Sequence, residues 1–128
     1  MDIEQIEIEP ISLYWSDWYP WEYLTLDAQT CADSVTPPNK SGVYEAKLRD
    51  QEERLTIGKT SNLRRRVKRG LAQGKLPHSS GKRIRAAEDV TQILVRWAET
   101  DRPAAVDEEL HRHHQQMSGR LPKHTKRS

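Results

Sequence analysis

Between Gly42 and Leu71 the spacing of apolar residues changes from two to four, and this change of period dictates the local architecture. Tyr44, Ala46 and Leu48 alternate with Glu45 and Lys47, the pattern of a strand whose two faces meet different surroundings. A polar turn, Arg49 to Glu53, leads into the short β-prone run Arg54-Leu55-Thr56-Ile57-Gly58, so the two runs read as an antiparallel hairpin. Ser61 then stands where a helix cap would. Leu63, Val67 and Leu71 recur every fourth residue while Arg64, Arg65, Arg66, Lys68 and Arg69 fill the other positions. The spacing predicts a helix over 61–71, ending near Gly70 and Gly74. Farther on, a short helix through Arg83 to Glu88, a third strand over 90–97 and a last helix over 104–118 are expected. Pro103 suits the first turn of that helix, Val106, Leu110, His114 and Met117 would face inward, and Gly119 would stop it. The expected fold class is α+β: a small three-stranded antiparallel sheet flanked by helices.

A chain of 128 residues suffices for one domain with a thin core. Apolar runs stop at three or four residues and the first residues are acidic, so neither a membrane span nor a secretory leader is expected, and the localisation expected is cytoplasmic. A lone Cys31 forms no intrachain disulfide. Six of the eight aromatic residues fall between Tyr14 and Tyr23. Faces that large need cover. Residues 1–40 therefore read as an acidic, aromatic-rich arm and linker that either packs on the domain over 41–125 or docks a partner protein; 126–128 form a basic tail.

Charge is distributed as unevenly as the aromatics. Residues 1–38 hold eight acids and no Lys or Arg; residues 39–128 hold all 21 basic residues against 11 acids, an excess of ten. Residues 54–85 alone hold 11 basic residues and no acid. A polyanion is the natural partner of such a stretch, and an acidic arm lying over it would compete with that partner. A charge run is otherwise a solvated face.

Cleaving a phosphodiester takes a base near the attacking water, a cation for the phosphate and a carboxylate for a divalent metal. Tyr44, Arg66 and the triplet Asp107-Glu108-Glu109 can supply them, with Lys59 or Arg66 placing positive charge beside the phenol. Asp107 and Glu109 flank the inward stripe of the last helix, whereas Glu108 points away. Each group also has a plainer use: a half-buried strand tyrosine, one solvated arginine among several, surface acids balancing Arg102 and Arg112. His111, His113 and His114 read as packing residues rather than a zinc site.

Gly42-Val43-Tyr44, followed after eleven residues by Thr56-Ile57-Gly58, then the capped Arg-rich segment Lys59 to Arg66, an acidic helix and Gly119-Arg120-Leu121-Pro122, resemble the GIY-YIG nuclease superfamily over residues 41–125. The resemblance implies a metal-dependent endonuclease hydrolysing phosphodiester bonds of DNA, with Mg²⁺ or Mn²⁺ as cofactor. It implies Tyr44 acting on the water, Thr56 at the second tyrosine's position and Arg66 on the phosphate. It also implies Asp107 on the metal, with Glu109 as its neighbour, and Lys59, Arg65, Lys68, Arg69, Lys82 and Arg83 on the nucleic-acid backbone. His124-Thr125 stands where the family closes its site with asparagine. The alternative is a module that has lost catalysis and binds nucleic acid or a protein through its basic face or Trp-rich arm.

Overall fold

The structure, a computed structural model, describes residues 12–125. Strand β1 (Tyr19–Pro20) and helix α1 (Trp21–Thr25) precede β2 (Gly42–Leu48) and β3 (Arg54–Thr60). Helices α2 (Arg64–Ala72) and α3 (Ser79–Ala87) follow, then a single 3₁₀ turn (Val90–Gln92), β4 (Ile93–Glu99) and α4 (Pro103–Ser118). The fold is α+β, with an antiparallel sheet in the order β1-β4-β2-β3 and helices packed on it. No helix among the described residues is long and apolar enough to cross a membrane.

Alternation decides what each face of the sheet covers. Tyr44 and Ala46 of β2, with Val95 and Trp97 of β4, meet Leu63, Val67 and Leu71 from α2, Ile84 from α3 and Trp21 and Leu24 from α1 in the main core. On the opposite face Val43 and Ala98 meet Val106 of α4, with Leu13, Trp15 and Leu110 packed around them. β3 is an edge strand, and a bulge lets Leu55 join the main core while Lys47 pairs with Arg54. The chain after α4 covers part of that edge: the His124 N–H donates to the Leu55 carbonyl at 2.7 Å.

Four departures from the sequence reading have physical causes. The sheet has four strands rather than three, because Tyr19 and Pro20 pair with Val95 and Leu94; a two-residue strand carries no periodicity. The third expected strand begins at Ile93, since Asp89 caps a turn at Val90–Gln92 by accepting from the Thr91 N–H at 3.1 Å. Helix α2 begins at Arg64 and is π-wound, its end marked by an i→i+5 bond from the Gln73 N–H to the Lys68 carbonyl at 2.9 Å. A repeat of four lies midway between the α and π turns, so the spacing does not distinguish them, and Leu63, Val67 and Leu71 are all fully buried. On α4, Met117 is 77% exposed because the sheet ends before the helix does.

The described residues of the arm, 12–40, are part of the fold. Trp21 is buried in the main core, and Tyr19 stacks on Trp97 with ring centroids 5.2 Å apart. The Arg96 guanidinium lies 4.0 Å from the Trp15 ring and 4.5 Å from the Trp18 ring, while its Nε donates to buried Glu45 at 2.8 Å. Among the described residues no acid of the arm forms an ion pair with a basic residue of α2. The arm instead meets that helix through oxygen atoms that carry no charge. Lys68 Nζ donates to Ser34 Oγ at 2.7 Å and to the Val35 carbonyl at 2.8 Å, and Arg64 Nε donates to the Pro37 carbonyl at 3.3 Å. Asp2, Glu4, Glu7 and Glu9 lie outside the described residues, as do 126–128 of the basic tail.

Candidate functional site

Register places Tyr44 opposite Gly58, and only glycine fits there. A Cβ on Gly58 would come within 2.3 Å of both Cζ and Oη of Tyr44, so the end of the phenol sits directly against the neighbouring strand's backbone. Gly42 is constrained in the same manner, its missing Cβ leaving room for the Ala98 carbonyl at 2.3 Å. The glycines of both tripeptides are thus close-approach positions that bring β2, β3 and β4 into their places.

Around the β3 edge opens a cleft of about 480 Å³, lined by Tyr44, by Thr56 to Lys59 of β3, by Arg66 of α2, by Ser79 and Ser80 of α3, by Asp107 and His111 of α4, and by Thr125. Groups 63 positions apart in the chain, Tyr44 and Asp107, share it. A groove of 510 Å³ between Arg54, Arg120 and Lys123 is slightly larger but contains none of the candidate groups. The cleft is therefore the candidate site, by chemistry rather than by size.

Tyr44 is buried, and its oxygen lies 2.9 Å from His78 Nε2. His78 Nδ1 accepts from the Gly81 N–H at 3.0 Å, capping α3, so the proton of the neutral ring sits on Nε2 and is donated to the phenol oxygen. Burial, reinforced by the charges of Arg66 and Arg85, drives His78 down to about 3 and keeps that ring neutral. Burial also pushes the Tyr44 phenol above its ordinary value near 10; Arg66 opposes this by charge and hydrogen bonding, and Asp107 adds to it. The phenol is thus protonated at neutral pH, its oxygen already accepting one hydrogen bond and its own proton left for a ligand.

Arg66 has no ion-pair partner among the described residues; its Nη1 donates to the Pro77 carbonyl at 3.3 Å. Asp107 is buried, with Oδ1 3.4 Å from His111 Nδ1. No group of three or more potential His, Cys, Asp or Glu ligands exists among the described residues. One carboxylate among the hydroxyls of Tyr44, Thr56, Ser79, Ser80 and Thr125 fits a cation such as Mg²⁺ or Mn²⁺, which keeps several waters and completes its shell from substrate phosphate.

The other expected positions divide. Lys59 lines the cleft, and Arg65 lines a smaller hollow that shares Arg66 with it. Arg69 and Lys82 are exposed. Arg83 is half-buried and donates to the His124 carbonyl. Lys68, only 6% exposed, is turned under the arm and takes no part in a basic face. Glu109 is solvent-exposed and paired with Arg112, one helical turn away, so it falls outside the cleft. Thr56 Oγ1 is 3.0 Å from Thr125 Oγ1, which also accepts from the Ile57 N–H at 3.2 Å; a hydroxyl pair occupies the place read for a second tyrosine and an asparagine. His124 turns away to Glu88 at 2.8 Å. Burial works against ionisation of Glu88, but hydrogen bonds from Lys123 and His124 hold its carboxyl below the usual carboxylate range.

His78 and His111 were not among the expected site residues. His78 follows Pro77 and precedes Ser79-Ser80-Gly81, a context that marks a helix start but gives no sign of which side chain the ring will meet. Comparison of the chain with protein-family models, with curated proteins and with solved structures finds no match.

Proposed function

We propose that this chain is a divalent-metal-dependent endonuclease of GIY-YIG type that hydrolyses phosphodiester bonds of DNA. One observation carries the reading: a phenol, a guanidinium and a buried carboxylate, contributed by β2, α2 and α4, line the same cleft. Arg66, with Lys59 beside it, binds the scissile phosphate and offsets the charge that grows on it as water attacks. Tyr44, held by His78 and by the backbone at Gly58, directs its hydroxyl to the water or to a phosphate oxygen. Its proton is removed only when further positive charge offsets the effect of burial. Asp107 would hold Mg²⁺ or Mn²⁺, which supplies that charge when bound. Arg65, Arg69 and Lys82 lie exposed for the flanking backbone. The arm's tryptophans are engaged within the fold, which favours nucleic acid over a protein docked at the arm.

Nicking of supercoiled plasmid in Mg²⁺ or Mn²⁺ tests this. Arg66→Ala and Asp107→Asn are each expected to lower the rate by about 10²–10³-fold, the scale for losing one transition-state stabiliser. Salt-sensitive DNA binding with no metal-dependent nicking by the wild type would contradict the enzyme and leave a binding module.

A further inference from the structure

His111 lines the cleft, yet the catalytic reading gives it no task. The residue is 2% exposed, and Nδ1 lies 2.8 Å from the carbonyl of Asp107, one turn earlier on α4. A carbonyl can only accept, so Nδ1 carries the ring proton and Nε2 offers a lone pair. That Nε2 is buried and has no hydrogen-bond partner among the described residues. The other buried histidines differ. His78 uses both nitrogens, on Tyr44 and the Gly81 N–H; His114 uses both, on the Arg54 N–H and the Arg120 carbonyl; His124 Nε2 meets Glu88. An empty buried acceptor on a ring that lines a cleft calls for a ligand.

The setting of the ring narrows the ligand's chemistry. A histidine that binds a metal through one nitrogen ordinarily donates its other N–H to a backbone carbonyl or a carboxylate, which fixes the tautomer and raises ligand basicity. Nδ1 of His111 has both within reach: the Asp107 carbonyl at 2.8 Å and Asp107 Oδ1 at 3.4 Å. We propose that His111 Nε2 is a direct ligand of the divalent cation in this cleft, so that the site takes Mn²⁺, Ni²⁺ or Zn²⁺ in preference to Mg²⁺. An imidazole nitrogen suits first-row transition ions, whereas Mg²⁺ binds oxygen almost exclusively. The inference rests on the reading of Asp107 as part of a metal site and adds which metal that site selects.

Calorimetry with each cation alone, on the full chain, is expected to show Zn²⁺ and Mn²⁺ binding at least tenfold tighter than Mg²⁺. His111→Gln should remove that advantage, lowering Zn²⁺ and Mn²⁺ affinity at least tenfold more than Mg²⁺ affinity. Should His111→Gln fail to fold, imidazole ¹⁵N spectra of the wild type decide: Zn²⁺ should shift the resonance of His111 Nε2, the coordinating nitrogen, far more than those of its Nδ1 or of exposed His113. Wild-type-like Mn²⁺ affinity in folded His111→Gln, or a His111 Nε2 resonance that Zn²⁺ leaves in place, overturns the inference while leaving Asp107 as a metal holder. A wild type that binds none of these cations overturns both.

Discussion

Gly58→Ala isolates the contact that positions the phenol. Gly58 does not have a left-handed φ, so alanine suits its backbone, and any loss is steric. The new Cβ would meet Tyr44 Cζ and Oη at 2.3 Å, where ordinary contact begins at 3.4 Å, so the ring must retreat by about 1 Å. Tyr44 is buried and bonded to His78 at 2.9 Å, which leaves it little room to move. Overpacking of this kind costs about 1–3 kcal/mol. A misplacement near 1 Å costs on the order of 10²-fold in rate. Urea unfolding followed by tryptophan fluorescence measures the first and plasmid nicking the second. The decisive form is a double-mutant cycle with Tyr44→Ala. Without the ring, alanine at 58 loses the contact with Tyr44 and should be neutral or stabilise by about 0.5 kcal/mol, giving a coupling of roughly 1–3.5 kcal/mol. Equal costs in the two backgrounds would refute the argument that Gly58 exists to seat the phenol.

Other consequences concern charge. His78 titrates near 3 in the fold and near 6.5 unfolded, so between those values the unfolded chain binds more protons. Stability should therefore fall on acidification by up to about 1.4 kcal/mol per pH unit, and His78→Gln should flatten urea-unfolding midpoints between pH 6 and 4.5; an unchanged slope contradicts the assignment. Lys68→Ala should lower stability by about 1–3 kcal/mol, through its bonds to Ser34 and Val35, and leave the salt dependence of DNA binding intact. Arg65→Ala and Arg69→Ala should each reduce the log–log salt slope by about 0.9 if they neutralise one phosphate apiece. Glu45→Ala strands the Arg96 and Arg54 guanidiniums and should cost about 3 kcal/mol, measured by thermal unfolding.

What could be read in advance was what depends on local period. The alternation through Tyr44 and the four-residue repeat Leu63-Val67-Leu71 gave the hairpin and its helix, and the order of elements followed. The two-residue strand at Tyr19 was illegible because its partner, Val95, lies more than 70 positions away and two residues have no pattern. Lys68 misled because a charge run suggests solvent; it is the residue beside Val67 that lies under the arm and donates into it. Asp107 and Glu109 both flank the inward stripe, and only the position of the β3 edge separates the buried one from the exposed one. His78 and His111 depend wholly on tertiary placement, since neither belongs to a recurring pattern.

In the proposed reaction Tyr44, Arg66 and Asp107 act together on a phosphate with a divalent cation. A crystal soaked in Mn²⁺ with a short DNA tests it most directly. An anomalous peak is expected beside the Asp107 carboxylate, with a phosphate between it and Arg66 and the Tyr44 oxygen facing that phosphate. A cation bound elsewhere, with DNA on a surface that leaves this cleft empty, would contradict it.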